Sequence, residues 1–196
     1  MAVSLLICKF SFDILSLTFY AVFTTNELWW ASLAICMGFG IFDTSGCIAL
    51  VRIACWYFIK TLISWKYADV PQVTVDELHK LMLKRKGEFI LIDVRTKEEF
   101  AVSHIKEAIH QDEFFQQEKK NKIGNETEII IYCSVGLRSS AFARALRKTG
   151  YLNVKFCIGS FFEWMNHGFS VIDNQKHLTT CVHAHNSLYS LLLRKE

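Results

Sequence analysis

Beyond residue 66 the apolar positions fall into short runs separated by segments of helical pattern. Residues 89–92 (FILI), 128–132 (EIIIY) and 153–157 (NVKFC) are the runs, each of a length that suits a buried strand. Two segments open with a threonine followed three residues later by glutamate: Thr74-Val75-Asp76-Glu77 and Thr96-Lys97-Glu98-Glu99. In such a box the hydroxyl accepts the amide of the third helical residue and the carboxylate accepts the threonine's own amide. Helices are therefore predicted over residues 75–86 and from 96 to about 104. A polar helix is predicted over 111–122. Residues 138–148 place Ala141, Phe142, Ala145 and Leu146 on one face, with Gly150 as the left-handed residue after the helix. A last helix is expected over 160–167. Strand and helix alternate, so the fold class is α/β, a largely parallel sheet flanked by helices on both faces.

The first third reads differently. From residue 1 to 65 the charged residues are Lys9, Asp13, Glu27, Asp43, Arg52 and Lys60 alone. Residues 1–23 and 28–65 are hydrophobic, the second stretch interrupted at Asp43-Thr44-Ser45-Gly46. A span needs about 20 apolar residues. The lengths predict hydrophobic N-terminal helices, as a hairpin turning at FDTSG or as one span with an interfacial helix. Trp29, Trp30, Trp56, Tyr57 and Trp65 stand near segment ends, as interface aromatics do. Basic residues follow, which places the C-terminal domain on the cytoplasmic side. The expectation is a membrane-associated protein whose domain faces the cytoplasm; the alternative is a cytoplasmic protein with this segment packed on the domain. Pro71, the only proline, marks the boundary. The predicted organisation is 1–65 hydrophobic and helical, 70–175 a single α/β domain, and 176–196 a tail.

Charge and cysteine usage narrow the chemistry. A net charge of +3 with interspersed acids gives no basic patch for nucleic acid. The seven cysteines are odd in number and contain no C-x-x-C pair. That argues against a disulfide framework or zinc and for a reducing compartment. His183 and His185 have ligand-like alternation without a third partner, so no metal site is expected.

Cys133 carries the sharpest signal. It ends the run IIIY and is followed by Ser134, Val135, Gly136, Leu137, Arg138 and Ser139, at a helix start. In a parallel α/β sheet, ligands bind beyond the carboxyl ends of the strands. Gly136 allows a backbone angle that other residues resist. A tight turn there aims backbone N–H groups at the sulfur, and the helix N-terminus adds partial positive charge. Such a cradle suits an anionic sulfur, a persulfide or a bound oxyanion.

The stretch CSVGLRS resembles the active-site loop of the rhodanese family, Cys-x-x-Gly-x-Arg-Ser. LIDVRTKEEFAVSHIKEAIH resembles the family's Asp-Val-Arg and His-Ile segment, and IGSFFEWMNHGFSVI its closing segment with Trp164. The resemblance covers about residues 70–173 and implies sulfur transfer without a cofactor. Cys133 would take the outer sulfur of a donor, thiosulfate or another small or protein-bound persulfide, and a thiol or cyanide acceptor would remove it. The loop from Ser134 to Ser139 would hold the persulfide, with Arg138 contacting the donor or pinning the loop to a carboxylate. Asp93 and Arg95 would support the site, Asp93 by accepting loop amides and Arg95 by pairing with Glu98 or Glu99. Phosphatases resembling this fold have five residues between Cys and Arg, enough to circle a tetrahedral oxyanion; here there are four. Sulfurtransferase is therefore favoured over phosphatase or arsenate reductase, and retention of the cysteine favours it over a non-catalytic binding module. Lys106-Glu107 stands where the family usually has Pro-Gly, and Gly159-Ser160 where Gly-Gly is common. Leu137 is apolar where many members carry a polar or basic residue.

Overall fold

The computed structural model describes residues 44–85, 87–120, 123–183 and 192–193. The chain divides into two compact units, Met1–Leu50 and Val51–Glu196. Of the first unit, the described part is the opening of helix α1 (Thr44–Lys66).

The second unit is built on five parallel strands. In chain order the elements are β1 (Gln72–Val73), α2 (Val75–Lys84), β2 (Ile90–Asp93), α3 (Lys97–Val102), β3 (His104–Ile105), β4 (Ile109–His110), α4 (Gln111–Lys119), β5 (Ile129–Tyr132), α5 (Leu137–Lys148), β6 (Val154–Cys157), α6 (Ser160–Asn166), β7 (Val171–Ile172) and β8 (Leu178–Thr179). The main sheet runs β1-β6-β5-β2-β4, with every pairing parallel. The register sets Asp93 opposite Tyr132, so β2 and β5 end side by side. A small antiparallel sheet, β3-β7-β8, completes the fold.

The period of two along β5 divides the core into two layers. Ile129 and Ile131 point to one side with Ile92, Phe114, Ala143 and Leu146. Ile130 and Tyr132 point to the other with Leu78, Phe161, Phe162 and Trp164. All four residues of β5 are fully buried, which explains why this strand reads as a continuous apolar run. Both capping boxes form: Thr74 with Glu77 opens α2, and Thr96 with Glu99 opens α3. The predicted helices hold, with α2, α3 and α4 ending two or three residues early.

The membrane expectation is corrected. No helix among the described residues is long and apolar enough to cross a membrane. Thr44, Ser45 and Gly46, the turn in one of the two expected arrangements, open α1 instead. Arg52 and Lys60 interrupt α1 within its length, and its second half is fixed to the domain. Ile63 and Tyr67 are buried in the core, and the Trp56 indole donates to the Leu192 carbonyl at 3.2 Å. Part of the hydropathy that suggested a span here serves packing, through Trp56, Ile59 and Ile63, while Tyr57, Phe58, Leu62 and Trp65 remain exposed. The hydrophobic segments before residue 44, and most of the tail after residue 183, lie outside the described residues.

Candidate active site

Cys133 is the first residue beyond β5 and is 1% exposed. Its main chain is fixed from the neighbouring helix α6: the Cys133 amide donates to Ser160 Oγ at 3.3 Å, and the Cys133 and Ser134 carbonyls accept the Phe161 and Phe162 amides, both at 3.0 Å. The chain then turns through Ser134 and Val135 to Gly136, which has φ 114° and caps α5. The turn brings the Gly136 amide to 3.1 Å from Cys133 Sγ, donating to the sulfur. The backbone lies in the left-handed region, which favours glycine, while a Cβ would meet Ile63 Cδ1 at 3.4 Å and the Cys157 carbonyl oxygen at 3.6 Å, ordinary contact distances.

The remaining loop residues divide the work. Ser139 Oγ donates to the Gly136 carbonyl at 3.0 Å, closing the turn. Val135 is buried in the α6-side core. Leu137 opens α5 with its side chain exposed. Arg138 pins the loop to a carboxylate, one of its two predicted roles. Its Nη1 and Nη2 donate to Glu99 Oε2 and Oε1 at 2.9 and 3.0 Å, and Nη2 also donates to Ser134 Oγ at 2.7 Å. Ser134 Oγ in turn donates to Glu99 Oε1 at 3.0 Å, which completes a triangle of three side chains.

Glu99 is the member of this triangle that its sequence context conceals. The capping box shows in the sequence, but the same carboxylate accepts the Thr96 amide at 3.0 Å while it holds Arg138. Burial alone would raise the Glu99 carboxyl. The bonds from Arg138, the Thr96 amide and Ser134 outweigh it and bring the group down to about 2. Glu99 therefore stays ionised, and burial, which by itself lowers the Arg138 guanidinium, is overcome by Glu99 so that its net shift is upward.

Asp93 and Arg95 are placed beside β5 but serve each other. Arg95 Nε and Nη2 donate to Asp93 Oδ2 at 3.0 and 2.7 Å, and the Arg95 amide donates to Asp93 Oδ1 at 2.9 Å. The guanidinium stacks 3.8 Å over the Phe161 ring and donates to the Ser103 carbonyl at 2.6 Å. The predicted pairing of Arg95 with Glu98 or Glu99 is thus corrected. Asp93 is two residues away and equally buried, so it takes the guanidinium and leaves Glu99 for Arg138. His104 is a core residue, its Nδ1 3.0 Å from the Phe100 carbonyl and its ring stacked on Phe100 at 3.9 Å.

Two departures noted in the sequence now have local meaning. Glu107 adopts φ 70° and Ser160 φ 50°, both in the region that favours glycine. Ser160 repays its strain with its hydroxyl, which donates to the Cys157 carbonyl at 2.6 Å and accepts the Cys133 amide. No sequence signal marks Ser160 as part of the site beyond its place after Gly159. Among the described residues no cluster of three or more His, Cys, Asp or Glu side chains suits a metal ion.

Comparison with known proteins agrees with this geometry. A family model described as a rhodanese-like domain matches residues 74–167. The thiosulfate sulfurtransferase GlpE of Coxiella burnetii is 29% identical over 93 residues, covering 47% of this chain and 87% of that protein. The thiosulfate:glutathione sulfurtransferase of Saccharomyces cerevisiae is 25% identical over 119 residues, covering 54% and 86%. The Bacillus subtilis protein YqhL, itself uncharacterized, is 30% identical over 120 residues, covering 61% and 93%. The matched stretch runs from the first capping box through the Cys133 loop to the end of α6, and the chain belongs to the rhodanese-like domain family.

Proposed function

We propose that the domain is a sulfurtransferase whose carrier is Cys133. The Cys133 thiolate attacks the outer sulfur of thiosulfate, forming a Cys133–sulfur bond. The bond between the two donor sulfurs breaks, and its electron pair leaves with sulfite. The resulting persulfide carries one negative charge on its outer sulfur. An acceptor thiolate then attacks that sulfur, takes it as a new persulfide, and returns Cys133 as thiolate. No net oxidation occurs in the cycle, which is a two-step exchange through a covalent enzyme intermediate.

The observation that carries this reading is the Gly136 amide donating to Cys133 Sγ at 3.1 Å inside a four-residue turn. A donor fixed at that position stabilises negative charge on sulfur at no reorganisation cost. Ser134, Val135, Gly136, Leu137, Arg138 and Ser139 are the binding loop in this scheme. Arg138 holds the loop's shape through Glu99, and Asp93 with Arg95 supports the strand ends beneath it. The thiosulfate and glutathione in the names of the two sulfurtransferase relatives are the first donor and acceptor to test.

The test is transfer of sulfur from thiosulfate to cyanide and to glutathione by the full chain, with Cys133→Ser as the control. The expected result is activity in the wild type and its loss, by at least about 10³-fold, in the variant, as removal of a nucleophile acting with its site predicts. A folded wild type inactive with thiosulfate and with persulfide donors would contradict the proposal and favour a binding module.

A further inference from the structure

The Cys133 loop presents a problem of charge. Thiosulfate is a dianion, yet the loop's own cation is committed. Both terminal nitrogens of Arg138 bond Glu99, and Leu137 at the loop's exposed tip is apolar. Arg95 is fully buried and bonded to Asp93. Another element brings a cation to this place. Helix α1 packs against the turn, with Ile63 2% exposed and its Cδ1 3.4 Å from where a Cβ on Gly136 would stand. Lys60 lies three residues earlier, on the same face of the helix. Its Nζ is 2.5 Å from Glu163 Oε1, and its side chain remains 36% exposed. The Glu163 carboxylate lies folded against Gly159, so closely that a Cβ there would fall 1.6 Å from Oε2. The Gly159 amide nitrogen is 3.6 Å from that same Cβ position on Gly136. Gly136, Ile63, Gly159, Glu163 and Lys60 are thus contiguous beside the turn that holds Cys133 Sγ, with Gly136, Ile63 and Gly159 buried and Lys60 the part-exposed member.

We propose that Lys60 is a specificity-determining residue that recognises the anionic end of the sulfur donor, with Glu163 as its resting counter-ion. The inference rests on the sulfurtransferase reading. A lysine ammonium suits this exchange because it is a point charge with three rotatable donors on a flexible stem, able to pass from a carboxylate to an incoming oxyanion. Glu163 tunes the site by competing with the donor. The stretch of α1 bearing Lys60 and Ile63 precedes the matched residues 74–167, so anion recognition would be supplied from outside the matched stretch.

The experiment measures KM and kcat for thiosulfate in the full chain for wild type, Lys60→Gln, Lys60→Arg and Glu163→Gln. Lys60→Gln is expected to raise KM about tenfold with little change in kcat, as loss of one charge-assisted bond made to the bound donor predicts. Lys60→Arg should restore KM to within about threefold of wild type, since it keeps the charge. Glu163→Gln should lower KM, because it frees the cation. A purely structural ion pair would shift Lys60→Gln and Glu163→Gln in the same direction, and that result would overturn the inference. So would an unchanged KM in Lys60→Gln. If the wild type transfers no sulfur and gains none at Cys133, it is the sulfurtransferase reading that fails.

Discussion

Cys133 and Cys157 occupy nearly the same position in the fold. Cys157 is the last residue of β6 and Cys133 the first beyond the neighbouring β5; both are buried, and both are followed by a glycine with positive φ and then a helix. Their surroundings are opposite. Two residues separate Cys133 from Gly136, and the turn is long enough to swing an amide back to the sulfur at 3.1 Å. One residue separates Cys157 from Gly159, and Cys157 Sγ faces the Ile158 carbonyl at 3.7 Å instead. An N–H stabilises negative charge on sulfur; a carbonyl keeps the proton in place. Burial accordingly pushes the Cys157 thiol well above its ordinary range, with the Ser160 contact only partly offsetting it. A cysteine at the carboxyl end of a parallel strand is therefore an insufficient criterion for a reactive site. The length of the turn after it, and the polarity of the backbone group it brings back, make the difference.

That contrast can be broken most severely at Glu99, which braces the longer loop. Glu99→Gln should cost about 2 kcal/mol, in the range for a bond to a charged partner. The cost stays below what a shift from 4.5 to about 2 would give in full, because the Arg138 side chain is 37% exposed and screened. Since the folded-state value is depressed, this stabilisation is fully present above pH 4.5 and fades as pH falls toward about 2. Urea midpoints across that range should drop in the wild type and drop less steeply in the variant. Gly136→Ala comes next, at about 1–2 kcal/mol for an L residue in the left-handed region. Sulfur transfer should fall with it, because the turn that brings the amide to the sulfur depends on that backbone angle. Ser160→Ala removes the hydroxyl that joins the two cysteine turns and should cost about 1 kcal/mol by thermal or urea unfolding, as loss of one net hydrogen bond predicts. Cys157→Ala should have the smallest effect, about 1 kcal/mol or less for the vacated volume, with sulfur transfer unchanged in the same assay.

Much of this arrangement was legible in the sequence, and the reasons differ by element. β5 was visible because a strand buried on both faces carries an unbroken apolar run. α2 and α3 were visible because each capping box states its own geometry. The antiparallel sheet was not, because two-residue strands such as β3 and β7 are too short to show any period. At the site, the loop and its direction followed from Gly136 and the strand before it. The partners of its charges did not. Two arginines and several carboxylates lie within reach in sequence, and tertiary placement assigned Asp93 to Arg95 and Glu99 to Arg138. The role of α1 was hidden for a further reason. Hydropathy counts apolar residues without asking which of them the domain covers: Trp56, Ile63 and Tyr67 pack against it, while Tyr57, Phe58 and Trp65 stay exposed.

In the proposed cycle Cys133, and not Cys157 on the neighbouring strand, carries sulfur. The direct measurement is peptide mass mapping of the full chain after incubation with thiosulfate under non-reducing conditions. An added sulfur of about 32 Da is expected on the peptide holding Cys133 and none on the peptide holding Cys157, as follows when thiolate access selects the site. The mass should vanish in Cys133→Ser and persist in Cys157→Ala. Sulfur found on Cys157, or a gain that survives Cys133→Ser, would contradict the proposed cycle.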